Sequence, residues 1–194
     1  MCGVEHRFFH ADRDSTLHEG KILQLSEGGG SRFGETYVGE LTSLSFDKLS
    51  LAAKREFVLE DTRKRYSEFH VFSSRLVSMF GANSIEDAAL FAQIVLPVPE
   101  KPIRIFEVFA TRFWTLDMNW MDYAYDPRKV YFYAKEYWSG RITNHAPERG
   151  ERRPPRLEVL IPLPARIGKV VALVEGGVMS LVKNEDALIT RAKK

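Results

Sequence analysis

The sequence predicts an α+β fold, an antiparallel β core with helices packed on its outside. Its segments order as strand, helix, strand, helix, strands, helix, strands, which does not alternate regularly enough for a doubly wound parallel sheet. The extended segments are rich in aromatic and β-branched residues, whereas the helical ones place apolar residues at helical spacing. At 194 residues the length favours a single domain over 1–194, with a core at about 5–174 and a C-terminal extension at 175–194.

The first strand falls at residues 5–11, where Phe8 and Phe9 supply β-prone rings and His10 sits near the strand end. Gly20 permits a turn before a second short extended piece. Gly28-Gly29-Gly30-Ser31 reads as a loop, without the Gly-Lys-Ser/Thr ending of a phosphate loop or dinucleotide glycine spacing. Residues 46–66 read as a helix with Leu49, Ala52, Ala53 and Phe57 as its apolar stripe, closed by Arg63, Lys64 and Arg65 at the negative end of the dipole. Residues 75–80 form the next strand. Ser84, with an acid three residues on, caps a helix whose Ile85, Ala88, Ala89, Ala92 and Val95 share a face until Pro97 stops it.

Residues 102–111 are apolar enough for a buried strand, and 113–125 read as a strand followed by an aromatic loop. Asp126-Pro127 starts a helix that buries Val130, Tyr133, Ala134, Tyr137 and Trp138, and Gly140 ends it. Residues 141–156 hold five arginines against two glutamates, making a basic loop. Residues 157–174 give two late strands with a bend at Pro162 and Pro164, and 179–194 a short helix with a basic end.

Composition narrows the function classes. Hydrophobic residues at 44% and charged residues at 28% exclude wholesale disorder. No stretch approaches the ~20 apolar residues of a membrane span, and none at the N-terminus has a signal-peptide core. The one cysteine, Cys2, excludes internal disulfides and thiolate metal centres, so a cytoplasmic setting is expected. A formal charge of +2 and a pI near 8.6 do not by themselves demand a nucleic-acid partner.

His6 and His10 share one strand face, but without a third ligand they make no metal site, and no metal is expected. No Gly-x-Ser-x-Gly occurs. Glu158, opening an apolar strand just after a basic loop, is either an edge-exposed solvating residue or an acid held near reacting atoms. Glu107 presents the same choice, its alternating context favouring solvent. Asp12, Asp14, Asp117 and Asp122 read as turn residues.

The motifs, in order, resemble the ADP-ribosyltransferase superfamily in its His–Tyr–Glu branch. Phe8-Phe9-His10-Ala11-Asp12 followed by Leu17-x-x-Gly20-x-Ile22 resembles the first motif strand and its continuation. Val77-Ser78-Met79-Phe80-Gly81-Ala82 and the alanine-rich helix after it resemble the second. Leu157-Glu158-Val159-Leu160-Ile161 resembles the late strand that opens with the catalytic glutamate. The chain is also similar to a poorly characterised bacterial family of this fold through Ser74-Arg75-Leu76-x-Ser78-x-Phe80 and Tyr137-Trp138-Ser139-Gly140. It departs from the branch at Phe80, normally Tyr, at Ala11-Asp12 after the histidine, and in the helical insertion near 46–66.

That resemblance implies a split, bent antiparallel β core and NAD as co-substrate. It implies Glu158 as the group that meets the oxocarbenium-like sugar, Phe80 as the face that holds nicotinamide, and His10 as a partner of a ribose hydroxyl. Arg75 is open between a pyrophosphate contact and a structural salt bridge. The loop before the glutamate would meet the acceptor. Its Arg149, Arg152, Arg153 and Arg156 suit DNA or RNA, the alternative being a solvated loop. The resemblance further implies a toxin or phage-defence effector with an antitoxin or regulatory partner and no membrane association. Small-molecule modification, and a non-catalytic module binding nucleic acid or protein on the same fold, stand beside it as alternatives.

Overall fold

The structure, a computed structural model, describes residues 3–95, 97–122, 126–146 and 151–182. It is an α+β fold in which the described residues form eight strands and four α-helices. The strands are β1 (His6–Asp12), β2 (Ile22–Leu23), β3 (Ser78–Gly81), β4 (Ile103–Ala110), β5 (Trp114–Asp117), β6 (Leu157–Pro162), β7 (Ala165–Glu175) and β8 (Val178–Leu181). The helices are α1 (Arg32–Ser43), α2 (Leu51–Arg65), α3 (Ile85–Ile94) and α4 (Val130–Trp138).

Every strand pairing is antiparallel, and the strands divide between two sheets. One runs β1-β4-β7, with β2 and β8 both on β7; the other runs β3-β6-β5. The sheets meet where Phe9 and Ala82 exchange backbone hydrogen bonds of 3.0 and 2.8 Å, joining β1 to β3 at one point. Beyond that bridge the two strands part, which places residues of both at the mouth of a cleft.

Three apolar clusters hold this arrangement. One packs Leu59, Leu116, Tyr137, Trp138 and Leu160 between the small sheet and helices α2 and α4. A second lies between the sheets around Phe8, Phe106, Val108, Val159 and Ile161, and the third seats α3 on the large sheet through Ala88, Ala89 and Ala92. Complete burial of a side chain of this size is worth about 1.5–3 kcal/mol, so these clusters, rather than helix propensity, decide the layout. No helix of the described residues is long and apolar enough to cross a membrane.

Several expectations change. Residues 46–66 split into a 3-10 turn at Phe46–Lys48 and α2, because Ser50 caps the helix by accepting from Ala53 N. The buried face of α2 is Ala53, Glu56, Leu59 and Thr62, while Phe57 stays exposed. Helix α1 was not expected. Residues 75–80 begin as a 3-10 turn, Arg75–Val77, before β3. The expected C-terminal helix gives way at its start to β8, a hairpin partner of β7, and residues 183–194 lie outside the described residues. Glu107 is buried, not solvent-facing: register shifts around Phe106 break the alternation, and Arg7 Nη1 donates to Glu107 Oε1 at 3.2 Å.

Candidate functional site

The cleft beside the Phe9–Ala82 bridge has a volume of about 280 Å³ and is lined mostly by apolar atoms. His10 reaches it from β1, Phe80 from β3, Glu158 from β6 and Arg75 from the turn preceding β3. Four residues separated by up to 148 positions in the chain thus share one wall (158 − 10). Phe9, Phe33 and Phe91 complete an aromatic lining, and Arg13, the residue after β1, lines the cleft as well.

Phe33 comes from α1, and its placement depends on Gly34. A Cβ at Gly34 would lie 2.0 Å from the Leu76 carbonyl oxygen, so only glycine lets the helix touch the 75–77 turn backbone to backbone. The Ser31 amide donates to the same carbonyl at 2.8 Å. Phe33 consequently meets Phe80 edge to face, 4.7 Å between centroids at 77°.

At the inner end lies a buried charge cluster. Arg75, only 5% exposed, donates from Nε to Glu56 Oε2 at 2.9 Å and from Nη2 to Glu56 Oε1 at 3.3 Å. Its Nη1 donates to Glu158 Oε1 and, at 2.6 Å, to the Tyr137 hydroxyl, which in turn donates to Glu158 Oε1 at 2.6 Å. The guanidinium also lies 4.5 Å from the Phe80 ring centroid. One cation faces two carboxylates, so the cluster carries a formal charge of −1 with both acids ionised. Burial pushes the Glu158 carboxyl above its ordinary value, against the opposing pull of Arg75 and the Tyr137 hydroxyl. Arg75 is held well above its ordinary value: the two glutamates more than offset its desolvation.

His10 is set differently. Its Nδ1–H donates to the Phe80 carbonyl oxygen at 2.6 Å, tying β1 to β3 across the split. Burial draws its pKa below the usual 6.5, so the ring is neutral at pH 7 and Nε2 remains as a hydrogen-bond acceptor.

Of the two readings left open for Arg75, the buried ion pair is the one the geometry realises. The basic loop divides. Arg152 is exposed, and its backbone bridges to His145. Arg153 is bound into the protein, Nε donating to Asn119 Oδ1 at 2.7 Å and Nη1 to Asp122 Oδ2 at 2.5 Å. Arg156 is half-buried, with Asp122 3.9 Å from its Nη1, and its carbonyl accepts from the amide of the cleft residue Met118 at 2.9 Å. Arg149 lies outside the described residues.

Glu56 and Tyr137 were missed as site residues. Tyr137 is legible only as an apolar-face residue of α4. Glu56 leaves a signal: it stands in the series 53, 56, 59, 62, an acid on the buried face of a helix, which demands a partner. Comparison with protein-family models and with curated proteins gives no match to this chain. The functional reading therefore rests on the motif order and the cleft itself.

Proposed function

We propose that this protein is an NAD-dependent ADP-ribosyltransferase that cleaves the nicotinamide–ribose bond and passes ADP-ribose to a macromolecule. The observation that carries this reading is the convergence of His10, Phe80 and Glu158, from three strands, on one aromatic cleft with a net acidic inner end.

The chemistry suits those groups. Breaking the C1′–N bond sends the electron pair to nicotinamide and leaves positive charge on the ribose. Glu158, backed by Glu56 through Arg75, supplies the negative field that this charge meets in a site of low dielectric. The acceptor's lone pair then forms the new bond to C1′, and the proton it sheds goes to solvent. Phe80 and Phe33, whose rings already have the Arg75 guanidinium 4.5 and 5.5 Å from their centroids, line the part of the cleft that would receive the cationic pyridinium before cleavage. His10 Nε2 accepts from a ribose hydroxyl. At about 280 Å³ the cleft is near the lower limit of the ~300–1,000 Å³ typical of small-molecule sites, which fits the nicotinamide–ribose end with the remainder over the rim.

Arg152 and Arg156 are the loop arginines suited to an anionic acceptor such as DNA or RNA, whereas Arg153 serves the loop's own structure. A second reading, binding without turnover, draws on the ion pair that already occupies Glu158 Oε1 and on the absence of a hydroxyl at Phe80. Incubation with NAD labelled in its ADP-ribose part, against separate pools of nucleic acid and protein, separates the two. Label in the nucleic-acid pool is expected. Free nicotinamide without transfer would identify a glycohydrolase, and no NAD turnover in any pool would favour the binding module.

A further inference from the structure

Resting on the pyridinium-nucleotide reading above, we infer that Arg13 is the phosphate-binding residue of the cleft. The cleft is then bipolar, with an acidic aromatic end for a cationic ring and a basic end for the phosphate attached to its ribose.

Arg75 does not fill that role. Its Nε, Nη1 and Nη2 all donate to protein oxygens, and the cluster around it is net negative, which repels a phosphate. Arg13 lines the same cleft one residue beyond β1, three positions after His10. The carboxylates flanking it are committed elsewhere. Asp12 accepts from the Thr16 and Leu17 amides and from Arg104 Nη2, the last at 2.8 Å, while Asp14 pairs with Arg32 at 3.1 Å. The nearby His10 is neutral at pH 7.

The guanidinium is anchored without being neutralised. Its Nη2 donates to the backbone carbonyls of Val95, at 2.7 Å, and Pro97, which hold the head in place and carry no net charge. Its Nε is buried and has no hydrogen-bond partner among the described residues. With only neutral carbonyls as anchors the guanidinium keeps its full charge beside the cleft, and a phosphate oxygen is the acceptor that best matches it. Arg13 is thus oriented and charged with only its Nη2 engaged by protein oxygens among the described residues, whereas Arg75 already spends four of its five N–H groups on protein oxygens.

The test is calorimetric titration of the full chain and of the Arg13→Gln and Arg13→Lys variants with three probes. Nicotinamide riboside is cationic and lacks phosphate, nicotinamide mononucleotide adds one phosphate, and ADP carries a diphosphate without the pyridinium. Arg13→Gln is expected to weaken the mononucleotide and ADP by about tenfold or more. The riboside should be unaffected, and Arg13→Lys should restore part of the loss. Thermal melting of the free variants checks that losing the tether to Val95 and Pro97 has not unfolded the rim. Equal losses for riboside and mononucleotide, or no loss for either phosphate probe, would overturn the assignment. If the parent binds ADP through Arg13 but neither pyridinium probe, Arg13 stands and the NAD reading fails. If the parent binds none of the three, both fail.

Discussion

Gly34 and Gly39 lie on the same helix, and the structure assigns opposite signs to replacing each by alanine. An exposed helical Gly→Ala change ordinarily stabilises by about 0.5–1 kcal/mol, through propensity and lost unfolded-state freedom. At Gly39 nothing lies within 4 Å of the added methyl, so that gain should appear in full. At Gly34 the methyl would sit 2.0 Å from the oxygen and 2.8 Å from the carbon of the Leu76 carbonyl. These are backbone atoms and cannot rotate aside, so α1 must lift from the 75–77 turn. Overpacking costs about 1–3 kcal/mol, and against backbone atoms that cannot move aside the upper part of that range, about 2–3 kcal/mol, applies, which leaves a net loss of roughly 1–2.5 kcal/mol after the propensity gain. Urea denaturation followed by Trp fluorescence reads both variants: the midpoint should fall for Gly34→Ala and rise for Gly39→Ala at unchanged slope. Equal stabilisation by both would mean that α1 is not seated on Leu76, and the placement of Phe33 in the cleft would go with it.

Removing Arg75 should be far more damaging than removing either partner's charge. Arg75→Met strands Glu56 and Glu158 as buried carboxylates and should cost about 3–5 kcal/mol by chemical denaturation, with part recovered at acid pH. Tyr137→Phe deletes one hydroxyl shared by Arg75 and Glu158, for a loss of about 1.5–3 kcal/mol. His10 is depressed by burial, so its contribution to stability is present above the ordinary imidazole range and lost as pH falls through its lower folded value. A His10→Gln variant should flatten the pH dependence of the midpoint on the acid side of neutrality. Glu158 runs the other way. Its raised value makes its contribution full at acid pH and lost as pH rises through the folded value, a slope that Glu158→Gln should remove.

The elements that announced themselves were those with local punctuation. Ser84 caps α3 through its hydroxyl on Asp87 N, as the sequence pattern predicts, and the two late strands are separated by the Pro162–Pro164 bend. Gly140, at φ 68°, ends α4. The start of α4 was less legible: Asp126 organises a turn first, its carboxylate accepting from Arg128 N, and the helix begins only at Val130. Helix α1 was illegible for a physical reason. With Gly34, Gly39 and Thr36 it has poor intrinsic propensity, and it is held by a backbone contact with Leu76 that no periodicity encodes. The meeting of His10, Phe80 and Glu158 was expected from motif order, since each lies in a strand of the split core, and Arg75 joins them from the turn before β3. Their charge states were not legible in that order. The commitment of Arg75 to the protein depends on Glu56, which an off-register reading of the α2 stripe left on the wrong face.

The central claim is that the acidic end of this cleft meets positive charge developing on a ribose. Release of nicotinamide from NAD, measured side by side for the parent and Glu158→Gln, tests it most directly. The substitution preserves size and the ability to accept from Arg75 and Tyr137 while deleting the charge. The account predicts measurable release by the parent and a fall of about 10²–10³-fold in the variant, at unchanged melting cooperativity. No release by the parent, or equal release by both proteins, would contradict it.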